Sequence, residues 1–114
     1  MKEDIVKDGL ITGDEKTGTV WINGTELSPE KSLKVRNHSP SGFAWGYGGS
    51  GPAQLALAIL LEFVDEETAE LLYQEFKRAF IAPAADQLKI NVENVKTWIC
   101  QQKLGELLDM HEGA

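Results

Sequence analysis

The chain has 114 residues, 42% of them hydrophobic, and a formal net charge of −7, which is the size and apolar content of one domain able to bury its own core. Its single cysteine, Cys100, excludes an internal disulfide, and one Cys with two His cannot supply a zinc-type ligand set. The acidic balance argues against general binding to nucleic-acid phosphates, and the longest apolar run, residues 55–61, is too short to span a bilayer.

The opening decapeptide "MKEDIVKDGL" is charged and lacks the apolar stretch of a signal peptide. Together with the lone cysteine it points to a cytoplasmic setting. A short strand is predicted near residues 10–12, followed by a loop at 14–18. Val20, Trp21 and Ile22 are strand formers, and the next two residues, Asn23-Gly24, are a strong two-residue hairpin signal. Trp21 is expected in the core. In "SLKVRNH", residues 32–38, Leu33 and Val35 alternate with Lys34 and Arg36, which predicts a further half-buried strand.

The central helix is predicted over residues 52–64. Pro52 suits its first turn, where the missing N–H costs nothing, and Ser50 or Gly51 is the expected N-cap. Only Gln54 and Glu62 are polar in that span, and a helix apolar on every side is a buried one. Asp65 should cap a second helix, with Glu66 and Glu67 suited to its dipole and Ala69, Leu72, Tyr73, Phe76 and Phe80 as its apolar stripe. "QLKIN" predicts a last short strand. Asn91 then caps a third helix through Val95, Trp98 and Ile99, after which the stripe drifts to Cys100, Leu104, Leu107 and Leu108. The fold class expected is α+β: a small, mainly antiparallel sheet of three or four strands with about three helices, in one domain. The drifting stripe predicts a homo-oligomer formed through the C-terminal helix.

The stretch between sheet and central helix, "RNHSPSGFAWGYGGSGPAQLALAILL", carries the functional signal. No Asp or Glu occurs from residue 31 to residue 61, while Lys31, Lys34 and Arg36 do. Gly46-Tyr47-Gly48-Gly49-Ser50-Gly51 satisfies G-x-G-x-x-G and opens a helix. A dinucleotide fold would also need βαβ units and an acidic residue ending the next strand, and a P-loop would need Gly-Lys-Ser/Thr. Neither is present. What remains is a nest: the N–H groups of Gly48, Gly49, Ser50 and Gly51 at a helix N-terminus suit an anion. Arg36 and His38 could supply charge, and Trp45 and Tyr47 a stacking face. His38 beside Ser39 does not make a catalytic pair, since adjacent residues rarely face each other and no third orienting group is identifiable. The alternative is that the glycines turn a crowded corner and the aromatics fill the core.

"LKVRNHSPSGFAWGYGGSGPAQLALAIL", followed by "LYQEFKRAFI", resembles a widespread family of small uncharacterised proteins of bacteria, plasmids and phages. Its members read V-x-V-[ND]-G-x-x-L, then L-x-x-[RN]-N-H-S-P-x-G-F-x-W-G-Y-G-G-S-G-P-A-Q-L-A-L-A, then L-Y-Q-x-F-K, then a terminal W-x-[IL]-x-x-x-x-I-x-x-W. The likeness covers residues 19–99 and leaves 100–114 as a helical extension. It departs at "LKINVENVKTWI", where a tryptophan is expected before the last strand, and in running 16 residues past Trp98. The resemblance implies a small α+β domain and an association with mobile elements, and it brings no activity. It places Arg36, Asn37, His38, Ser39, Phe43, Trp45, Tyr47, Gly48, Gly49, Ser50, Gly51, Gln54, Tyr73, Gln74 and Lys77 on motif positions, and the candidate ligand set is Arg36, His38, Trp45, Tyr47, Gly48, Gly49, Ser50, Gly51, Gln54 and Lys77. The polar members His38, Gln54, Gln74 and Lys77 are more than a hydrophobic corner requires. The expected function is that of a non-enzymatic protein of a phage or other mobile element. It would bind a phosphate-bearing small molecule or nucleotide at the glycine turn, without cofactor or metal, and sequester a host-defence signal. The competing expectation is an acidic protein-interaction module or inhibitor whose glycine block is structural.

Overall fold

The computed structural model describes residues 9–39 and 42–113, with side chains described as far as residue 105. The readings made above for residues 1–8 and for the Leu107 and Leu108 side chains lie outside the described residues. Four strands, β1 (Leu10–Asp14), β2 (Thr19–Ile22), β3 (Thr25–Glu26) and β4 (Lys89–Asn91), form an antiparallel sheet of order β3-β2-β1-β4. Among the described residues four helices, α1 (Glu30–Val35), α2 (Ser50–Leu61), α3 (Glu66–Phe76) and α4 (Val92–Gly113), complete an α+β fold. A π-helical turn, Lys77–Ile81, continues α3.

The predicted hairpin forms. Asn23 and Gly24 take positive φ values of 52° and 82°, the conformation a two-residue hairpin turn of this twist requires. The register sets Ile11 opposite both Ile22 and Ile90, so these three share one face with Val20. Ile11 and Val20 are fully buried there. Trp21, paired with Thr12 and Glu26, points to the opposite face and is only half-buried. The expectation that it belongs to the core is corrected by the period of the strand: the neighbour of an inward residue faces outward.

The strand predicted over residues 32–38 is instead α1, Glu30–Val35. Six residues of alternating pattern fit either period. The local chemistry favours helix: Glu30 stands in the first turn and Lys34 in the last, both suited to the dipole. The buried residue is Ser32, not an apolar one, and its hydroxyl donates to the Pro29 carbonyl at 2.9 Å.

Helix α2 begins two residues earlier than predicted, with Gly49 as N-cap, and ends at Leu61. Gly51 through Leu61 are all buried. It packs on α1, α3 and the π turn. Asp65 caps α3 as expected, its side chain accepting from the Thr68 N–H at 3.1 Å. Hydrogen bonds from Thr68 hold its carboxyl below the usual carboxylate range. Ala69, Leu72, Tyr73 and Phe76 form the buried stripe of α3. The π turn then shifts the register, so Phe80 is only half-buried and packs with its ring centroid 4.8 Å from that of Phe76, tilted, and 6.0 Å from that of Trp98, edge to face. Asn91 opens α4, accepting from the Glu93 N–H at 2.8 Å, and Val95 and Ile99 enter the core. Among the described residues, no helix is long and apolar enough to cross a membrane.

Candidate functional site

Gln54 is the one side-chain amide buried in the core, and it organises the loop upstream of it. Its Oε1 accepts from the backbone N–H of His38 at 2.7 Å and of Ser39 at 3.0 Å. Its Nε2 donates to Ser32 Oγ at 2.9 Å and to the Arg36 carbonyl at 3.0 Å. An amide side chain has two acceptor sites and two donors, and all four are used. One residue on α2 therefore ties α1 and residues 36–39 together. Gln54 was expected to touch a ligand; it has no capacity left to do so, and its role is positioning.

The side chains that this clamp presents turn toward α3. His38 Nε2 shares a hydrogen bond with Tyr73 Oη at 2.7 Å, and Tyr73 is itself buried. Arg36 Nε donates to Glu70 Oε2 at 2.9 Å, with the arginine side chain 60% exposed. Tyr73 falls on a motif position of the family resemblance but is outside the candidate ligand set, and Glu70 is in neither. Helical spacing reads Tyr73 as core, and nothing local marks Glu70 as the partner of an arginine 34 positions away.

The other end of the glycine stretch is clamped as well. Gly46, at φ +88°, donates its N–H to the Ile81 carbonyl at 3.0 Å, at the end of the π turn. A Cβ there would approach the Ala84 carbonyl to 3.2 Å. Trp45 Nε1 donates to the Asp86 carbonyl at 3.0 Å, and its ring edge lies where a Cβ of Gly13 would sit. Trp45 is thereby committed on that edge to closing the end of the sheet. Gly51 is required by packing, since a Cβ would fall 2.7 Å from that of Ala44.

Between these clamps the turn stands open. Gly48 has nothing within 4 Å of a built Cβ, Tyr47 is 54% exposed, and Ser50 is exposed. The Tyr47 ring lies over Gly49, where a Cβ would come within 2.6 Å of it. Helix α2 has no side-chain cap and no acidic residue in its first turn. Among the described residues, the N–H groups of Gly48, Gly49, Ser50 and Gly51 meet no backbone acceptor. Lys77 is half-buried at the first position of the π turn, and its carbonyl accepts from the Ala82 N–H. No hydrogen bond or ion pair joins its side chain to the turn among the described residues. Seven of the ten predicted residues thus fall into three groups: Arg36 and His38 facing α3, Trp45 facing the sheet, and Tyr47, Gly48, Gly49 and Ser50 at the head of α2; Gly51 and Gln54 are buried behind them, and Lys77 stands apart on the π turn.

The antiparallel sheet has no βαβ unit, so the G-x-G-x-x-G pattern here is not a dinucleotide fingerprint. Among the described residues no cluster of three His, Cys, Asp or Glu side chains is placed to hold a metal ion. Compared with known proteins, residues 11–101 match the model of a family of unknown function (DUF6166). No curated protein and no solved structure matches the chain.

Proposed function

Because the chain belongs to the DUF6166 family, a family of unknown function, we propose its role from the turn itself: a non-enzymatic binding protein that takes a phosphate-bearing small molecule or nucleotide at residues 47–50. The observation that carries this reading is the pair of clamps around an open centre. Gln54 fixes the chain at 36–39 and the Ile81 and Asp86 carbonyls fix it at 45–46. The donors of the uncapped helix are then held in place before any ligand arrives, so little ordering cost remains at binding. Negative charge gains there from the helix dipole and from the N–H groups. Tyr47 offers an exposed ring beside them on which a base stacks. Arg36 reaches Glu70 through a largely exposed ion pair, an interaction of about 0–1 kcal/mol, so a bound phosphate competes for the guanidinium at small cost. A chain with this site, and with no catalytic constellation among its described residues, acts by occupancy. Sequestering a nucleotide signal inside a bacterial host is the role we attach to it, from the resemblance to mobile-element proteins.

A second reading is favoured by a specific observation. Gly46, Gly49 and Gly51 each have a packing reason, and Tyr47 projects from the surface rather than into a cavity. On that reading the turn is a knuckle presented to a protein partner. A thermal-shift screen of wild type and Arg36→Ala against mono-, di- and cyclic nucleotides and phosphosugars separates the two. A ligand at about 100 times its dissociation constant should stabilise the wild type by about 2.7 kcal/mol. Arg36→Ala should weaken that binding by about 1.5–3 kcal/mol, the range for a hydrogen bond to a charged group. If no phosphate compound shifts the wild type, or if Arg36→Ala responds equally, the interaction module stands.

The α4 extension belongs to the same proposal. Cys100 is exposed and Leu104 is 58% exposed, leaving an apolar side chain of this helix in water. We assign this face to a second copy of the chain. Truncation after Ile99 should lower the mass measured by light scattering, and a full-length protein that is already monomeric overturns the assignment.

A further inference from the structure

The structure assigns a second binding site, independent of the anion turn: a hollow for an organic cation with a guanidinium or ammonium head, walled by Phe43 and Trp45 and rimmed by Glu15 and Asp86. The hollow measures about 410 Å³, within the size range of small-ligand sites. It lies between the β1–β2 loop, residues 43–46 and residues 84–86. Two glycines let its walls approach. Gly18, at φ +74°, admits the Phe43 carbonyl to 3.2 Å of where a Cβ would be, and Gly46 does the same for the Ala84 carbonyl. Both positive φ values also disfavour any other residue.

The chemistry of the lining is one-sided. Among the described residues its only charged lining residues are Glu15 and Asp86, and no Lys or Arg lines it. Both acids are exposed, so they meet a ligand without first being dehydrated. Phe43 and Trp45 are half-buried and both line the hollow, which sets two aromatic residues, of the kind whose π quadrupole attracts a cation, beside the two acids. Trp45 is already oriented by its N–H bond to the Asp86 backbone carbonyl and by its contact with Gly13. Aromatic walls with a carboxylate rim and no competing base select a soft, weakly hydrated cation, such as an arginine side chain of a partner protein or a small quaternary amine, over a compact metal ion.

The test follows the Trp45 indole N–H resonance of the full-length protein by NMR during three titrations. The probes are Nα-acetyl-arginine amide, its uncharged isostere Nα-acetyl-citrulline amide, and choline. Saturable movement with the arginine amide or choline, and not with the citrulline amide, is the expected result. A tighter response to the arginine amide identifies a protein side chain as the source, and a tighter response to choline identifies a free amine. Glu15→Gln and Asp86→Asn, both at exposed positions, should each weaken binding about two- to fivefold, as for exposed ion pairs. The double variant should lose most of the salt dependence. No movement with either cation at millimolar concentrations, or equal movement with citrulline, overturns the assignment. So does a double variant that binds as the wild type does. Trp45→Ala is avoided as a probe because Trp45 also closes the sheet.

Discussion

Replacing Gln54 by Leu is expected to lower the unfolding free energy by about 2–4 kcal/mol, although Leu is the more apolar residue and Gln54 has no exposed surface. In a buried helix such a change would ordinarily be neutral or favourable. Here it strips partners from four groups: the His38 and Ser39 N–H donors, the Arg36 carbonyl and Ser32 Oγ. Ser32 keeps its bond to the Pro29 carbonyl, and residues 38 and 39 are near enough to the surface to recruit water. The remaining loss is the Arg36 carbonyl and the acceptor side of Ser32 Oγ, each costing about 1–3 kcal/mol, set against a modest gain in apolar burial. Urea unfolding should show the midpoint falling with the slope unchanged. A loss under about 1 kcal/mol would mean that the amide is not the organiser of this loop. The variant has a functional readout as well. With the clamp gone, residues 36–39 lose their fixed position beside α2, so any contribution of Arg36 to anion binding should fall with it.

What was legible in the sequence follows the range of each interaction. Asn23-Gly24, Pro52, Asp65 and Asn91 act within three or four residues of themselves, and the hairpin and the starts of α2, α3 and α4 were found from them to within two residues. The all-apolar run of α2 identified the buried helix without help from any neighbour. Where a choice depended on distant parts, sequence failed. Residues 32–38 alternate like a strand, and the one buried residue of α1, Ser32, finds its partner Gln54 only 22 positions away, beyond the reach of a local pattern. The π turn is invisible to a pattern of period 3.6, yet it sets the Ile81 carbonyl under Gly46. The glycine block was recognisable as special, but its division of labour was not. Gly46 and Gly51 serve packing, Gly48 serves nothing that is built, and only neighbours from the 81–86 loop and Ala44 tell them apart. Gln54 carried the strongest local hint, a lone amide in an apolar helix. The hint pointed to a ligand, and the partners are three backbone groups and the Ser32 hydroxyl of the chain itself.

Leu57→Ala should cost about 2–5 kcal/mol, the range for a truncated core leucine whose surroundings cannot collapse into the space. The upper half of that range is expected, because Leu57 is fully buried and its helix is enclosed on every side by the sheet, α1, α3 and the π turn. The small residues Ala53, Ala56 and Ala58 bring those neighbours close, and backbones already in contact have little room to close a cavity further. The backbone amides of residues 55–61 should accordingly exchange only by global unfolding and be the slowest in the chain. Exchange there as fast as in residues 100–105, or a loss under about 1 kcal/mol on truncation, would remove α2 from the centre of the fold. This experiment also separates scaffold from site. Leu57 lies about two turns into the helix whose first turn presents the open donors, and it does not touch them. Leu57→Ala should therefore lower the melting temperature in the absence and presence of a phosphate ligand by similar amounts, so that the ligand-induced shift survives. A variant that loses the shift along with stability would show that the turn is held in shape by the packing of α2 as a whole, and that its two local clamps are insufficient.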